Sequence, residues 1–242
     1  MKRILNATDL KLLAIVAMTC DHFAFAFLSS ESVFYFLMRM FGRITAPIMA
    51  FFIAEGFIYT KDRKRYFMRL LVFAIISQPF YFVLLFSRFP NSFLEYVSNL
   101  NIMFTLCSSL LILIIIENQK LLIWAKLFFI GACCAFSDIC DWSYIVPAWT
   151  LTFYIFRNEQ NKINIVFVIV SILLPMKKYL SQYGGFAKYC FFFGVLLALV
   201  PISLYNGGKG KVGGRIFNKC FFYVYFPLHI LFIIVCRVIL FG

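Results

Sequence analysis

Leu10 to Leu28, LKLLAIVAMTCDHFAFAFL, is long and apolar enough to cross a bilayer, yet it carries Asp21 and His22 side by side, far from either end. A helix of about 20 apolar residues spans a hydrocarbon core. Ionisable groups at that depth are costly unless they face a partner or a wet cavity, so they mark function by default. Lys11 stands at the entrance of the run, eleven residues before His22. At about 100° per residue that spacing returns to nearly the same helix face, about 16 Å further along. One stripe therefore joins a cation at the membrane surface to an imidazole near mid-membrane. The plainer reading has Lys11 snorkelling to headgroups and His22 tying helices together.

Further apolar runs fill the chain. Of 242 residues, 63% are hydrophobic and 14% charged, and the mean hydropathy is +0.91. That composition predicts an all-α, polytopic membrane bundle and excludes a soluble domain with one core. Thirty-three Phe and 13 Tyr suit lipid contact and interfacial belts. The net charge of +13 would point to nucleic acid in a soluble protein. Here the cations gather in short loops between apolar runs, where the positive-inside rule accounts for them, and no nucleic-acid partner is expected. The eight cysteines lie mostly inside apolar runs and, with two histidines, offer no metal-ligand spacing. No metal is expected. The run from Leu10 also lacks a small-residue cleavage site, so it reads as a retained helix.

Nine crossings are expected. The second run, Val33 to Tyr59, reads as one helix holding Arg39, Arg43, Pro47 and Glu55, and it ends in the basic cluster Lys61 to Arg69. That cluster places the loop, and with it the N-terminus, in the cytoplasm. A third helix covers Tyr66 to Phe86 with Pro79 inside it, and a longer loop, Ser87 to Asn99, has room for a small interfacial segment at Phe93 to Val97. Helices follow at Ile102 to Ile116, Leu121 to Ser137, Tyr144 to Phe156, Ile165 to Pro175 and Phe186 to Leu204. Lys177 and Lys178 run against the charge bias at the end of the seventh. The last helix, Phe221 to Phe241, carries Pro227, His229 and Arg237. No repeat or linker divides the chain, so residues 1–242 read as one domain.

Tyr205 to Lys219, YNGGKGKVGGRIFNK, is rich in glycine and cations and has no acid. Its glycines allow the backbone to approach a ligand closely, and Lys209 and Lys211 suit a phosphate group; a flexible cytoplasmic loop obeying topology is the other reading. Counting helix rise, His22, His229, Arg43 and Asp21 can all come near mid-membrane, with Glu55 about one and a half turns above the cytoplasmic cluster. An imidazole there can serve as a general base. Asp21 either orients it or pairs with Arg43 or a Lys on another helix, and His229 either works in the cavity or makes an interhelical hydrogen bond. No Gly-x-Ser-x-Gly elbow, Walker loop or dinucleotide fingerprint is present. A basic mouth leading to a buried base suits a donor whose phosphates dock at the surface while its reactive end reaches the histidine.

Leu10 to His22, GRITAPIMAFFIAEGF (Gly42 to Phe57), the Arg-rich start of the third helix, NIMFTL (Asn101 to Leu106), YNGGKG (Tyr205 to Gly210) and FFYVYFPLHIL (Phe221 to Leu231) together resemble the TraX family. These are bacterial polytopic proteins named for the pilin acetyltransferase of conjugation systems. The family looks related to the wider transmembrane acyltransferases, which carry a basic residue, ten intervening residues and a catalytic histidine on the first helix. Lys11 and His22 match that pattern, with Lys where Arg is usual. Those relatives also use two arginines at the start of the third helix; Arg65 and Arg69 stand there, spaced one residue wider.

The resemblance implies a multi-pass protein of the bacterial cytoplasmic membrane that moves an acetyl group from cytoplasmic acetyl-CoA to an amine or hydroxyl of a peptide, glycan or small molecule. His22 is then the base with Asp21 beside it, and His229 and Arg43 position the acceptor or steady the oxyanion. Lys11, Arg65 and Arg69, helped by Lys209 and Lys211, hold the coenzyme phosphates. Glu55, Asn206 and Tyr225 are candidates for contacting the acceptor. A transporter or flippase using the same charges, and a noncatalytic assembly factor, are the alternatives.

Overall fold

The computed structural model describes residues 3–174, 190–210 and 215–241, of which 215–220 as backbone. Among the described residues the regular structure is helical: α1 (Ala7–Phe27), α2 (Val33–Gly42), α3 (Thr45–Tyr59), α4 (Arg63–Phe86), α5 (Phe93–Val97), α6 (Ile102–Glu117), α7 (Ile123–Asp138), α8 (Ile145–Ile155), α9 (Gln160–Leu173), a 3-10 segment (Cys190–Ala198) running into α10 (Leu199–Ser203), and α11 (Arg215–Phe241).

Four stretches are long and apolar enough to cross a membrane: Ala7–Phe27, Val33–Tyr59, Arg63–Phe86 and Phe221–Phe241. α1 shows why. Leu10, Ala14, Ala17 and Met18 are buried, while Leu12, Val16 and Phe23 on other faces are exposed. A helix apolar all round, with protein on one side, has its other side suited to lipid. α11 repeats the pattern, with Phe226, Ile230 and Ile233 inside and Leu228, Phe232 and Val235 outside. The molecule is an all-helical, multi-pass membrane protein. The shorter apolar helices Ile102–Glu117, Ile145–Ile155 and Gln160–Leu173 reach about 17 to 24 Å, less than the roughly 30 Å of hydrocarbon. Length alone thus gives four crossings among the described residues where the sequence suggested nine. Lys177, Lys178 and the first residues of the eighth expected helix lie outside the described residues.

The expected single helix from Val33 to Tyr59 is broken. α2 stops at Gly42, where the Arg43 N–H bonds back to both Arg39 O (3.1 Å) and Met40 O (3.3 Å), and Ile44 N–H reaches Phe41 O (3.3 Å). The Arg43 N–H thus shares the last α-type bond with an i→i+3 bond, and the next N–H makes only the tighter i→i+3 bond. Pro47 then falls in the first turn of α3, where a missing N–H costs nothing. α4 begins earlier than the expected Tyr66 because Asp62 caps it, accepting from Arg65 N at 2.9 Å.

The chain forms two compact units, Met1–Met49 with Asn158–Gly242, and Ala50–Arg157. In the first, α1 packs on α2 and α11, and the 3-10 segment packs on α2 and α9. A Cβ at Gly194 would sit 1.9 Å from the Met40 carbonyl oxygen, so glycine permits this contact between segment and helix.

In the second unit α6 packs against α4, α7 and α8. The loop before α6 is tied to α4 by buried amides: Gln78 Oε1 accepts from Asn101 N and Nδ2 (2.9 Å each), and Gln78 Nε2 donates to Asn99 O at 2.8 Å. Ser92 caps α5 (Ser92 Oγ from Glu95 N, 3.2 Å). Arg88 pairs with Glu95, and that guanidinium, then the Asn91 N–H, hold the Glu95 carboxyl below its ordinary range.

Candidate active site

The first turn of α1 is fixed by a reciprocal cap. Asn6 Oδ1 accepts from Thr8 N (2.8 Å) and Asp9 N (3.1 Å), and Asp9 Oδ2 accepts from Asn6 N (2.9 Å). The glycine-rich loop closes on this end: Ala7 N donates to Gly208 O (2.8 Å), Thr8 Oγ1 to Lys209 O (3.0 Å) and Asn206 N to Leu5 O (2.8 Å). Gly210 has φ +79°, and a Cβ there would lie 2.4 Å from both Asn6 Oδ1 and Thr8 Oγ1. The close backbone approach at Gly210 is made to the N-terminal end of α1. Asn206 Oδ1 closes a local turn on Gly208 N at 2.7 Å. The Lys209 side chain is exposed and Lys11, one turn into α1, is half-buried; Lys211 lies outside the described residues.

Four turns into α1, neighbouring side chains part company because successive residues point about 100° apart. Asp21 turns to α2. Arg39 Nη1 donates to its Oδ2 at 2.8 Å, and Arg43 Nη2 donates to Oδ1 at 3.1 Å and Oδ2 at 3.2 Å. This is the ion pair with Arg43 that the sequence left open, extended to Arg39. A Cβ on Gly42 would lie 2.3 Å from the Asp21 Cβ, so the two helices meet closely at this residue. Phe191 from the 3-10 segment lies 5.4 Å from the Arg39 Cζ and 5.1 Å from the Arg43 Cζ, ring centroid to carbon.

His22 turns to α11. Its Nδ1 lies 2.7 Å from His229 Nε2, with the ring planes 12° apart. His229 Nδ1 lies 2.9 Å from the Tyr225 carbonyl oxygen one turn back. The carbonyl can only accept, so His229 Nδ1 carries the proton. In the neutral ring its Nε2 is then bare and accepts from His22 Nδ1–H. The remaining nitrogen, His22 Nε2, holds the lone pair. Tautomers are assigned from hydrogen bonding in this way whenever an acceptor-only group anchors the chain. Tyr225 also locks α11 to α1 with its hydroxyl, which donates to Thr19 Oγ1 at 2.7 Å while Thr19 Oγ1 donates to Ile15 O at 2.8 Å. The Tyr225 ring lies parallel to that of His229, 5.0 Å between centroids.

Of the sequence candidates, His22, His229 and Tyr225 come together, and Asp21 and Arg43 come together beside them on α1. Arg39 and Thr19 belong to the same constellation and were not singled out. Arg39 is four residues from Arg43, a spacing that puts both on one helix face; Thr19 carries no comparable signal.

Arg65, Arg69 and Glu55 belong to the second unit. Arg65 is exposed and its Nε pairs with Asp62 Oδ2 at 2.9 Å. Arg69 is half-buried with its guanidinium 5.8 Å from the Tyr66 ring centroid. Glu55 is half-buried in α3.

A sequence model of the family described as "TraX protein" matches residues 6–237. The chain is also 32% identical over 231 residues, 93% of each chain, to a protein of Dichelobacter nodosus named "Probable fimbrial assembly protein FimC, serogroup H1". No solved structure matches it. With nearly its whole length matched, from the cap of α1 to the last turns of α11, the chain belongs to the TraX family.

Proposed function

We propose that this protein is an integral-membrane acetyltransferase that takes the acetyl group from acetyl-CoA and passes it to an amine or hydroxyl acceptor, with His22 Nε2 as general base. The relay from the Tyr225 carbonyl through His229 to His22 carries the reading. A base must present a lone pair, and an acceptor-only carbonyl at the far end of two imidazoles leaves that lone pair on His22 Nε2. His229 takes the orienting role that a carboxylate fills in the Ser-His-Asp arrangement. The acceptor gives its proton to Nε2 as it attacks the thioester carbon; the proton then passes to the departing thiolate.

Lys11, on the His22 stripe, and the exposed Lys209 are the proposed cations for the coenzyme phosphates on the first unit. Arg65 and Arg69 are proposed to bind phosphate on the second. Lys2, Arg3 and the basic cluster Lys61 to Arg69 favour a cytoplasmic N-terminus in the bacterial inner membrane. The deciding experiment is acetyl-CoA binding and slow hydrolysis by the purified protein in detergent. Saturable binding weakened in Lys11→Ala, with hydrolysis lost in His22→Ala, is the expected result. Hydrolysis retained in a folded His22→Ala variant overturns the assignment of the base.

The name of the Dichelobacter nodosus relative favours a second reading, a fimbrial assembly factor without catalysis. It expects Asn or Gln at His22 and His229 to leave appendage assembly intact.

A further inference from the structure

Arg39 holds more hydrogen-bonding capacity than its partner uses. The residue is 7% exposed. Its Nη1 is spent on Asp21, whose carboxylate is shared with Arg43. Its Nε–H is buried without a hydrogen-bond acceptor among the described residues. Rings crowd the guanidinium: the centroids of Phe25, Tyr35 and Phe191 lie 5.5, 5.7 and 5.4 Å from its Cζ. A guanidinium donates only in its own plane, so among these rings the Nε–H edge remains as a dry donor. A buried donor with no acceptor is destabilising, and a catalytic role is one of the reasons such a group is retained. Arg39 is held 2.8 Å from Asp21, the residue that precedes His22 on α1, which ties its guanidinium to the same turn of the helix as His22.

We infer that the Nε–H edge of Arg39 receives the carbonyl oxygen of the acetyl thioester and stabilises the negative charge that develops there. The inference rests on the acetyltransferase reading. The acceptor lone pair forms a bond to the carbonyl carbon, and the C=O π pair moves onto oxygen, against Arg39. His22 Nε2 takes the acceptor's proton. On collapse the π bond re-forms, the C–S bond breaks, and the thiolate leaves with the proton from His22. Asp21 is then a positioning residue: by holding Nη1 it fixes the direction of the Nε–H, which makes the donor preorganised for the oxyanion.

The test measures acetyl-CoA turnover, with water as acceptor, in the full-length protein in detergent, together with coenzyme Kd and thermal stability. Arg39→Met leaves Asp21 paired with Arg43 and removes the dry donor, so the fold should hold. The expected result is a fall in kcat of about 100-fold, with KM and Kd within about twofold and no loss of Tm. Arg39→Lys, which restores the charge without the Nε–H edge, should recover only a minor part of kcat. Wild-type kcat in Arg39→Met overturns the inference; if turnover still requires His22, the acetyltransferase reading stands. A raised KM at unchanged kcat overturns it in favour of ground-state binding. Parallel loss of Tm, Kd and turnover in both variants overturns it in favour of a structural role. Absence of turnover and of coenzyme binding in folded wild-type protein overturns the inference and the acetyltransferase reading together.

Discussion

His22 Nδ1 and His229 Nε2, from residues 207 apart in sequence, lie 2.7 Å from each other. The contact joins α1 to α11 at the proposed base and, through the Tyr225 carbonyl, selects which nitrogen of His22 keeps its lone pair. Removing His229 releases the tautomer. His229→Ala is expected to lower kcat for acetyl-CoA hydrolysis by about 100-fold or more, with coenzyme Kd unchanged. His229→Gln, whose amide oxygen can still accept from His22 Nδ1–H, should recover part of that loss. Equal rates in all three proteins would sink the relay.

Asp21 is the carboxylate between two buried guanidiniums, so removing its charge strands both. Asp21→Asn is expected to cost about 3–5 kcal/mol. Arg39→Met in the same chain should return a large share of it, because one fewer cation is left to compensate. Chemical unfolding of the single and double variants in detergent measures the coupling; additive losses would mean the three side chains are not one electrostatic unit.

Gly194 meets the Met40 carbonyl where α2 carries Arg39 and Arg43. Gly194→Ala must push backbone against backbone, at a cost of about 1–3 kcal/mol. Displacing α2 in this way should also lower turnover, although no catalytic group has changed. A melting temperature equal to that of wild type would show that the segment gives way freely.

Thr8 holds the glycine-rich loop through Lys209 O. Thr8→Val keeps the side-chain volume and loses the donor, so the loop should open more often. Limited trypsin cleavage after Lys209 is expected to accelerate several-fold while cleavage at Lys61 to Arg69 keeps its rate.

The Arg88–Glu95 pair gives the α5 loop a pH dependence with a definite sign. Because the folded carboxyl is held below its ordinary value of 4.5, its contribution is complete above that value and is lost as the pH falls through the depressed one. Hydrogen exchange at Phe93–Val97 should therefore show constant protection from pH 5 to pH 7, about neutral, and lose it under stronger acid. Glu95→Gln should remove the acid-dependent step.

Apolar run length and charge placement made the membrane class legible, and the eleven-residue interval made the Lys11–His22 stripe legible, because both are properties of one helix and its fixed 100° step. The same step separates Asp21 from His22 and shows that they face different neighbours. It does not name those neighbours. Arg39 and Arg43 for Asp21, and His229 for His22, follow from how α2 and α11 rotate against α1, and that rotation is set by close contacts such as Gly42 against Asp21 and Tyr225 against Thr19. The break between α2 and α3 was hidden for a related reason. Gly42 and Pro47 permit a break within an apolar run, but the hydrogen bonds of the Arg43 N–H decide it. Sequence alone determined that charges are buried in a helical membrane protein; tertiary packing decided which charge meets which, because pairing depends on helix rotation and contact distance, which no period along a single chain encodes.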